Sequence, residues 1–121
     1  MDAKELMETI VGCADKKKAM DIKVLYIGTL TTLADYFVVC SGTSYPHMSA
    51  IAEELEDKLS EAGIYPRGRE GKDNANWILL DYGDVIVHIF NPESREFYSI
   101  ERLWSDAQEV NFEQIEGNDE Q

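Results

Sequence analysis

Two histidines, two cysteines, a Gly/Ser-rich turn and a pair of aspartates are the residues of this chain whose types suggest chemistry. Ser41-Gly42-Thr43-Ser44 follows an apolar run and precedes a helix-forming stretch. A turn of that kind at a helix N-terminus aims backbone N–H groups at a phosphate. Nucleotidyl transfer would add a following strand with two or three carboxylates to hold Mg²⁺. The next segment here is Ile64-Tyr-Pro-Arg-Gly-Arg69, which has no carboxylate. Asp81 and Asp84 come later, at odd and even positions across a turn, and do not converge. Helix capping by the Ser/Thr-rich turn explains the segment without a ligand. His47, His88, Cys13 and Cys40 show no C-x-x-C, H-x-x-x-H or H-E-x-x-H spacing. His47 falls in the first turn of a helix, where it is expected to be exposed. A nucleophile would need a base oriented by a third group, and no such set is assembled. No catalytic, metal-ligating or cofactor-binding residue is therefore assigned.

The elements that would position a site are clearest at Trp77-Ile-Leu-Leu-Asp-Tyr-Gly-Asp-Val-Ile-Val-His-Ile-Phe90. Two apolar runs flank Gly83-Asp84, the signature of a tight two-residue β-hairpin turn. Alternation then sorts the side chains onto two faces. Ile78, Leu80, Tyr82, Val85, Val87 and Ile89 share a face that wants burial. Trp77, Leu79, Asp81, Ile86, His88 and Phe90 share the other. Large aromatics beside a carboxylate and an imidazole suit neither a plain core nor a plain solvent face. This mixed face is a candidate contact surface, unless the chain's own terminal helices cover it.

The rest of the pattern supplies a scaffold. Residues 3–20 read as an amphipathic helix, with Lys16, Lys17 and Lys18 near its C-terminus, where cations complement the dipole. Ile22 to Ile27 reads as a strand, and Tyr36-Phe-Val-Val-Cys40 as a strand covered on both sides. Met48, Ile51, Ala52, Leu55, Leu59 and Ala62 form one helical stripe, stopped by Gly63. A short strand near Arg67–Glu70 leads to the hairpin. Asn91-Pro92 opens a helical turn, and Ser99 caps another helix with Ile100, Leu103, Trp104 and Ala107 on one face. The order α-β-β-α-(β)-β-β-α predicts a single α/β domain over 1–110, a mixed β-sheet flanked by helices. Residues 111–121 form an acidic tail expected to fray.

Composition narrows the partners. Eleven Lys and Arg against 24 Asp and Glu give a formal charge of −13. Such a chain is a poor ligand for nucleic-acid phosphates or an anionic membrane, and a suitable one for a basic protein. Arg67, Arg69 and Lys72 are too few to reverse that. No apolar run approaches the roughly 20 residues of a membrane span. The N-terminus has no secretory-signal pattern, and two cysteines within apolar stretches suit a reduced, cytoplasmic setting.

Several separated segments together carry a resemblance. They are Ala34-Asp-Tyr-Phe-Val-Val-Cys-Ser-Gly-Thr-Ser44, Glu70-Gly71, Trp77 through Phe90, Arg95-Glu-Phe-Tyr98 and Leu103-Trp104. In that order, over residues 3 to 108, the chain resembles the ribosomal silencing factor (RsfS or Iojap) family. The resemblance implies a nucleotidyltransferase-like fold without catalytic carboxylates, no enzymatic activity and no cofactor. It implies a translational repressor that binds the large ribosomal subunit at a basic intersubunit-face protein, the fourteenth of that subunit. There it would block joining of the small subunit, notably under starvation. The partner-binding residues would be Trp77, Leu79, Asp81 and Tyr82 of the hairpin, with His88 and Phe90 on the same mixed face. Two other readings remain from the residues themselves: a divergent nucleotide-binding enzyme using Gly42 and Ser44, and a homo-oligomeric scaffold. A homodimer through the mixed face is the form the latter would take.

Overall fold

The computed structural model describes residues 1–72 and 74–110, so the expectation for the tail at 111–121 lies outside the described residues. Helix α1 (Ala3–Lys16) opens on a capping box. Asp2 accepts from the Glu5 N–H, and the Glu5 carboxylate accepts from the Asp2 N–H. The helix ends earlier than its apolar spacing suggested, because Lys18 turns the chain at φ 59° into strand β1 (Met20–Tyr26). Strand β2 (Tyr36–Ser41) then leads through the Ser/Thr turn into helix α2 (Tyr45–Glu61). Ser44 caps α2 by accepting from the His47 N–H, and Gly63 at φ 76° ends it.

Strands β3 (Gly68–Glu70), β4 (Trp77–Asp81) and β5 (Val85–Phe90) follow. Gly83, at φ 84°, makes the hairpin turn, and the Tyr82 N–H donates to the Val85 carbonyl across it. Helix α3 (Pro92–Tyr98) is capped by Asn91, as its sequence predicts. The last helix differs from expectation. Ser99 adopts a left-handed φ of 48° and gives no side-chain cap, and α4 is a single turn (Ile100–Leu103). The chain then forms β6 (Gln108–Val110), an edge strand that no periodicity announces.

The six described strands form one mixed sheet in the order β3-β4-β5-β2-β1-β6. Only the central pair, β2 and β5, runs parallel. That arrangement requires a crossover, and α2 supplies much of it. Helices α1 and α2 pack against one face of the sheet. Leu6, Ile10, Ile51 and Leu55 meet Val38, Leu80, Val87 and Ile89 in a continuous core. The opposite face has a smaller apolar cluster around Leu25, Ile27, Phe37, Val39, Phe90 and Ile100. The single turn of α4 and the two-turn α3 are its helical cover. This unequal coverage decides which part of the hairpin remains open.

Candidate interaction surface

The hairpin register places Trp77 opposite Phe90, Leu79 opposite His88, and Asp81 opposite Ile86. These residues therefore share one face, as alternation requires. Ile78, Leu80, Tyr82, Val85, Val87 and Ile89 are all buried against the helices. Tyr82 thus belongs to the core and is withdrawn from any direct contact. Burial pushes its hydroxyl up to about 12.

The mixed face divides into a covered part and an open part. Phe90 is fully buried and His88 is 4% exposed, so neither touches a docked partner in this conformation. Tyr98 stacks near Phe90, and Phe37 meets the His88 ring edge-on at 4.8 Å, with Trp104 against Phe37. The periodicity assigned these residues to a face, but it did not say what covers that face. Trp77, Leu79, Asp81 and Ile86 remain half-buried.

His88 instead supports Trp77 from beneath. The indole Nε1–H donates to His88 Nδ1 at 3.2 Å, which leaves the imidazole proton on Nε2. Phe90 at 4.7 Å and Tyr98 at 4.9 Å hold two further sides of the indole. Burial pulls His88 down to about 4, so the ring is neutral near pH 7 and accepts the indole proton. A lone strand histidine has here a structural role, fixing the orientation of a partly open tryptophan.

The edge strand completes the surface. In the β3–β4 register, Glu70 lies opposite Leu79 and Gly68 opposite Asp81. Directly opposed residues share a face, so Glu70 stands beside Leu79, and Gly68 leaves Asp81 uncrowded. Glu70, Trp77 and Leu79 line a cavity of about 170 Å³. Arg69 opposes Leu80, points to the helix side and pairs with Glu56 of α2. Asp81 spends one carboxylate oxygen on the turn, accepting from the Gly83 N–H at 2.8 Å. Sequence reasoning missed Glu70 as a site residue, since it lies on a segment seven residues from the hairpin start. Only the strand pairing brings it to the apolar surface. It also missed the exposed Phe97, and it put Leu103 on one helical face with Ile100, whereas Ile100 is buried and Leu103 is 77% exposed.

The C-terminal cover is stapled by Arg95. Its Nε and Nη2 donate to the Glu101 carboxylate, and Nη1 donates to Ser41 Oγ at 3.0 Å. The Gly42 and Thr43 N–H groups of the Gly/Ser turn are likewise bonded internally. Gly42 N–H donates to the Phe90 carbonyl, Thr43 N–H to His47 Nδ1, and Met48 N–H to the Ser44 carbonyl. His47 Nε2 donates in turn to the Lys17 carbonyl at 2.8 Å, so this ring is a structural tie and not the exposed side chain expected. A Cβ at Gly42 would stand 2.7 Å from Met48 Cγ, so glycine there allows β2 and α2 to pack closely. Burial pushes the Cys40 thiol up to about 12, the opposite of an activated nucleophile. Among the described residues, no group of three or more His, Cys, Asp or Glu converges as a metal site. No helix of the described residues is long and apolar enough to cross a membrane.

The fold and this surface define a class: a single α/β domain whose open face is apolar with acidic edges, a surface suited to docking. The family model described as ribosomal silencing factor during starvation matches residues 1–121. The Bacillus subtilis ribosomal silencing factor RsfS is 40% identical over 107 residues, covering 88% of this chain and 91% of its own. A mouse protein named mitochondrial assembly of ribosomal large subunit protein 1 is 34% identical over 106 residues, covering 85% of this chain and 46% of the mouse protein. A crystal structure of a Chromobacterium violaceum protein superposes with a TM-score of 0.83 at 35% identity, covering 87% of this chain and 88% of that one. The chain belongs to the ribosomal silencing factor family, and its function lies in ribosome-associated regulation of translation.

Proposed function

We propose that this protein is a cytoplasmic translational repressor that binds the large ribosomal subunit. Its contact there is the fourteenth large-subunit protein, a basic protein of the intersubunit face, and its bulk obstructs joining of the small subunit. The carrying observation is the half-open strip of Trp77 and Leu79 between the carboxylates of Glu70 and Asp81. An aromatic anchor with a polar rim is the composition of a binding hot spot. The acidic rim and a chain charge of −13 favour encounter with a basic surface. The mouse relative's name, which refers to assembly of the large ribosomal subunit, agrees with this partner. Repression of this kind needs no reaction and no cofactor, and direct nucleic-acid contact contributes little.

A second reading, self-association into a homodimer, is favoured by Phe97 and Tyr98, which are exposed and continue the apolar strip beside Trp77. The two readings compete for one surface, so dimer would exchange for complex. Co-sedimentation with isolated large subunits, small subunits and joined ribosomes tests the proposal. Retention on free large subunits alone is expected. Equal retention on small subunits, or none on any particle, contradicts it.

A further inference from the structure

We propose that Glu70, Trp77 and Leu79 form a subsite for one arginine side chain of the docked protein. The inference rests on the docking reading above and names the chemistry that reading leaves open. The 170 Å³ cavity lined by these three residues has an aromatic wall, an aliphatic wall and a carboxylate at its edge. Those are the groups a long cationic side chain uses. Its stem packs on Leu79, its planar head lies over the indole, and its N–H groups meet the carboxylate. A guanidinium suits this set better than an ammonium, because it stacks and forks at once.

Three observations make Glu70 the charged member. It is exposed, and among the described residues no ion pair occupies it. Its neighbour Arg69 is directed to the other side of the sheet by the pleat and neutralised by Glu56. Asp81, the acid that alternation in the hairpin singles out, already accepts the Gly83 N–H and serves the turn. The walls are also preset. Trp77 is held by His88, Phe90 and Tyr98 before any partner arrives, so little side-chain freedom is lost on docking. Arg69 and Lys72 line a neighbouring hollow shared with Glu70, and their charges would favour a single cation in the subsite over a cluster of them.

The test measures large-subunit binding by the full chain and three variants: Trp77→Ala, Glu70→Gln and, as a control for overall charge, Glu53→Gln on the exposed side of α2. Circular dichroism and thermal melts establish that each is folded. Glu70→Gln is expected to weaken binding about tenfold and to flatten its salt dependence, while Glu53→Gln stays near wild type. If Trp77→Ala weakens binding and Glu70→Gln matches Glu53→Gln, the subsite is overturned and the docking face stands. If Trp77→Ala also leaves binding intact, the docking reading itself falls. A second readout needs no ribosome. N-acetyl-arginine amide should shift the Trp77 indole N–H resonance, assigned with Trp104→Phe, and the neutral citrulline analogue should not. Equal shifts from both, no shift from either, or an unchanged arginine shift in Glu70→Gln, would overturn the assignment.

Discussion

Acidification should unlatch Trp77 through His88, and the size of the effect follows from burial. The imidazole is 4% exposed and rests among Phe37, Trp77 and Phe90. Burial alone pulls its pKa from 6.5 down to about 4. The unfolded chain therefore takes up the proton first as pH falls, and stability declines with it. The contribution is fully present above about pH 6.5, shrinks between about 6.5 and 4, and levels off below. A gap of that width is worth about 3 kcal/mol at about 1.4 kcal/mol per pH unit. The same proton occupies Nδ1, so the indole Nε1–H loses its acceptor. The assay is urea denaturation followed by circular dichroism across this range, for wild type and His88→Gln. Glutamine retains a carbonyl acceptor and does not titrate. Carboxylates contribute equally to both proteins, so the difference between the two stability curves isolates His88. The difference should change by about 3 kcal/mol in favour of the variant as pH drops through the window. Parallel curves would mean that His88 is solvated in the folded chain and takes up its proton as readily there as in the unfolded one.

Three further perturbations probe the parts around this site. Gly71 has φ 102°, and a Cβ there would meet the Trp77 carbonyl oxygen at 2.5 Å, so Gly71→Ala should cost about 2 kcal/mol or more in urea unfolding. Arg95→Met removes the staple between α3, Glu101 and Ser41, and should cost about 1–2 kcal/mol, discounted because Glu101 is part-exposed. The same variant should raise hydrogen exchange in α3 and α4 while leaving α1 and α2 protected, as mass spectrometry would show. Millimolar nucleotide with Mg²⁺ should leave the melting temperature unchanged, because the Gly42 and Thr43 N–H groups are already bonded within the protein; a clear rise would revive the enzyme reading.

The hairpin was legible from sequence because a two-residue turn and unbroken alternation leave one way to sort its side chains. The same holds for α2, whose stripe and caps agree. Coverage was not legible. Alternation puts His88 and Phe90 on the face of Trp77, yet Tyr98, Phe37 and Trp104 bury them through contacts between distant segments. Strand β6 escaped because three residues at an edge bury little: Gln108 and Glu109 are exposed, and Val110 alone of the three packs against the core. The amphipathic spacing of Ile100, Leu103, Trp104 and Ala107 suggested one longer helix in its place. Glu70 escaped for a related reason: its neighbour Leu79 is set by strand register, which no local pattern encodes.

On the proposed mechanism, the Trp77–Leu79 face holds the protein where the small subunit must dock. The most direct test mixes purified large and small subunits with increasing wild-type protein or folded Trp77→Ala, and follows joined ribosomes by light scattering. Wild type should lower the joined fraction until large subunits are saturated, and Trp77→Ala should do so only at much higher concentration. Equal inhibition by both proteins, or no inhibition by wild type bound to large subunits, would contradict it.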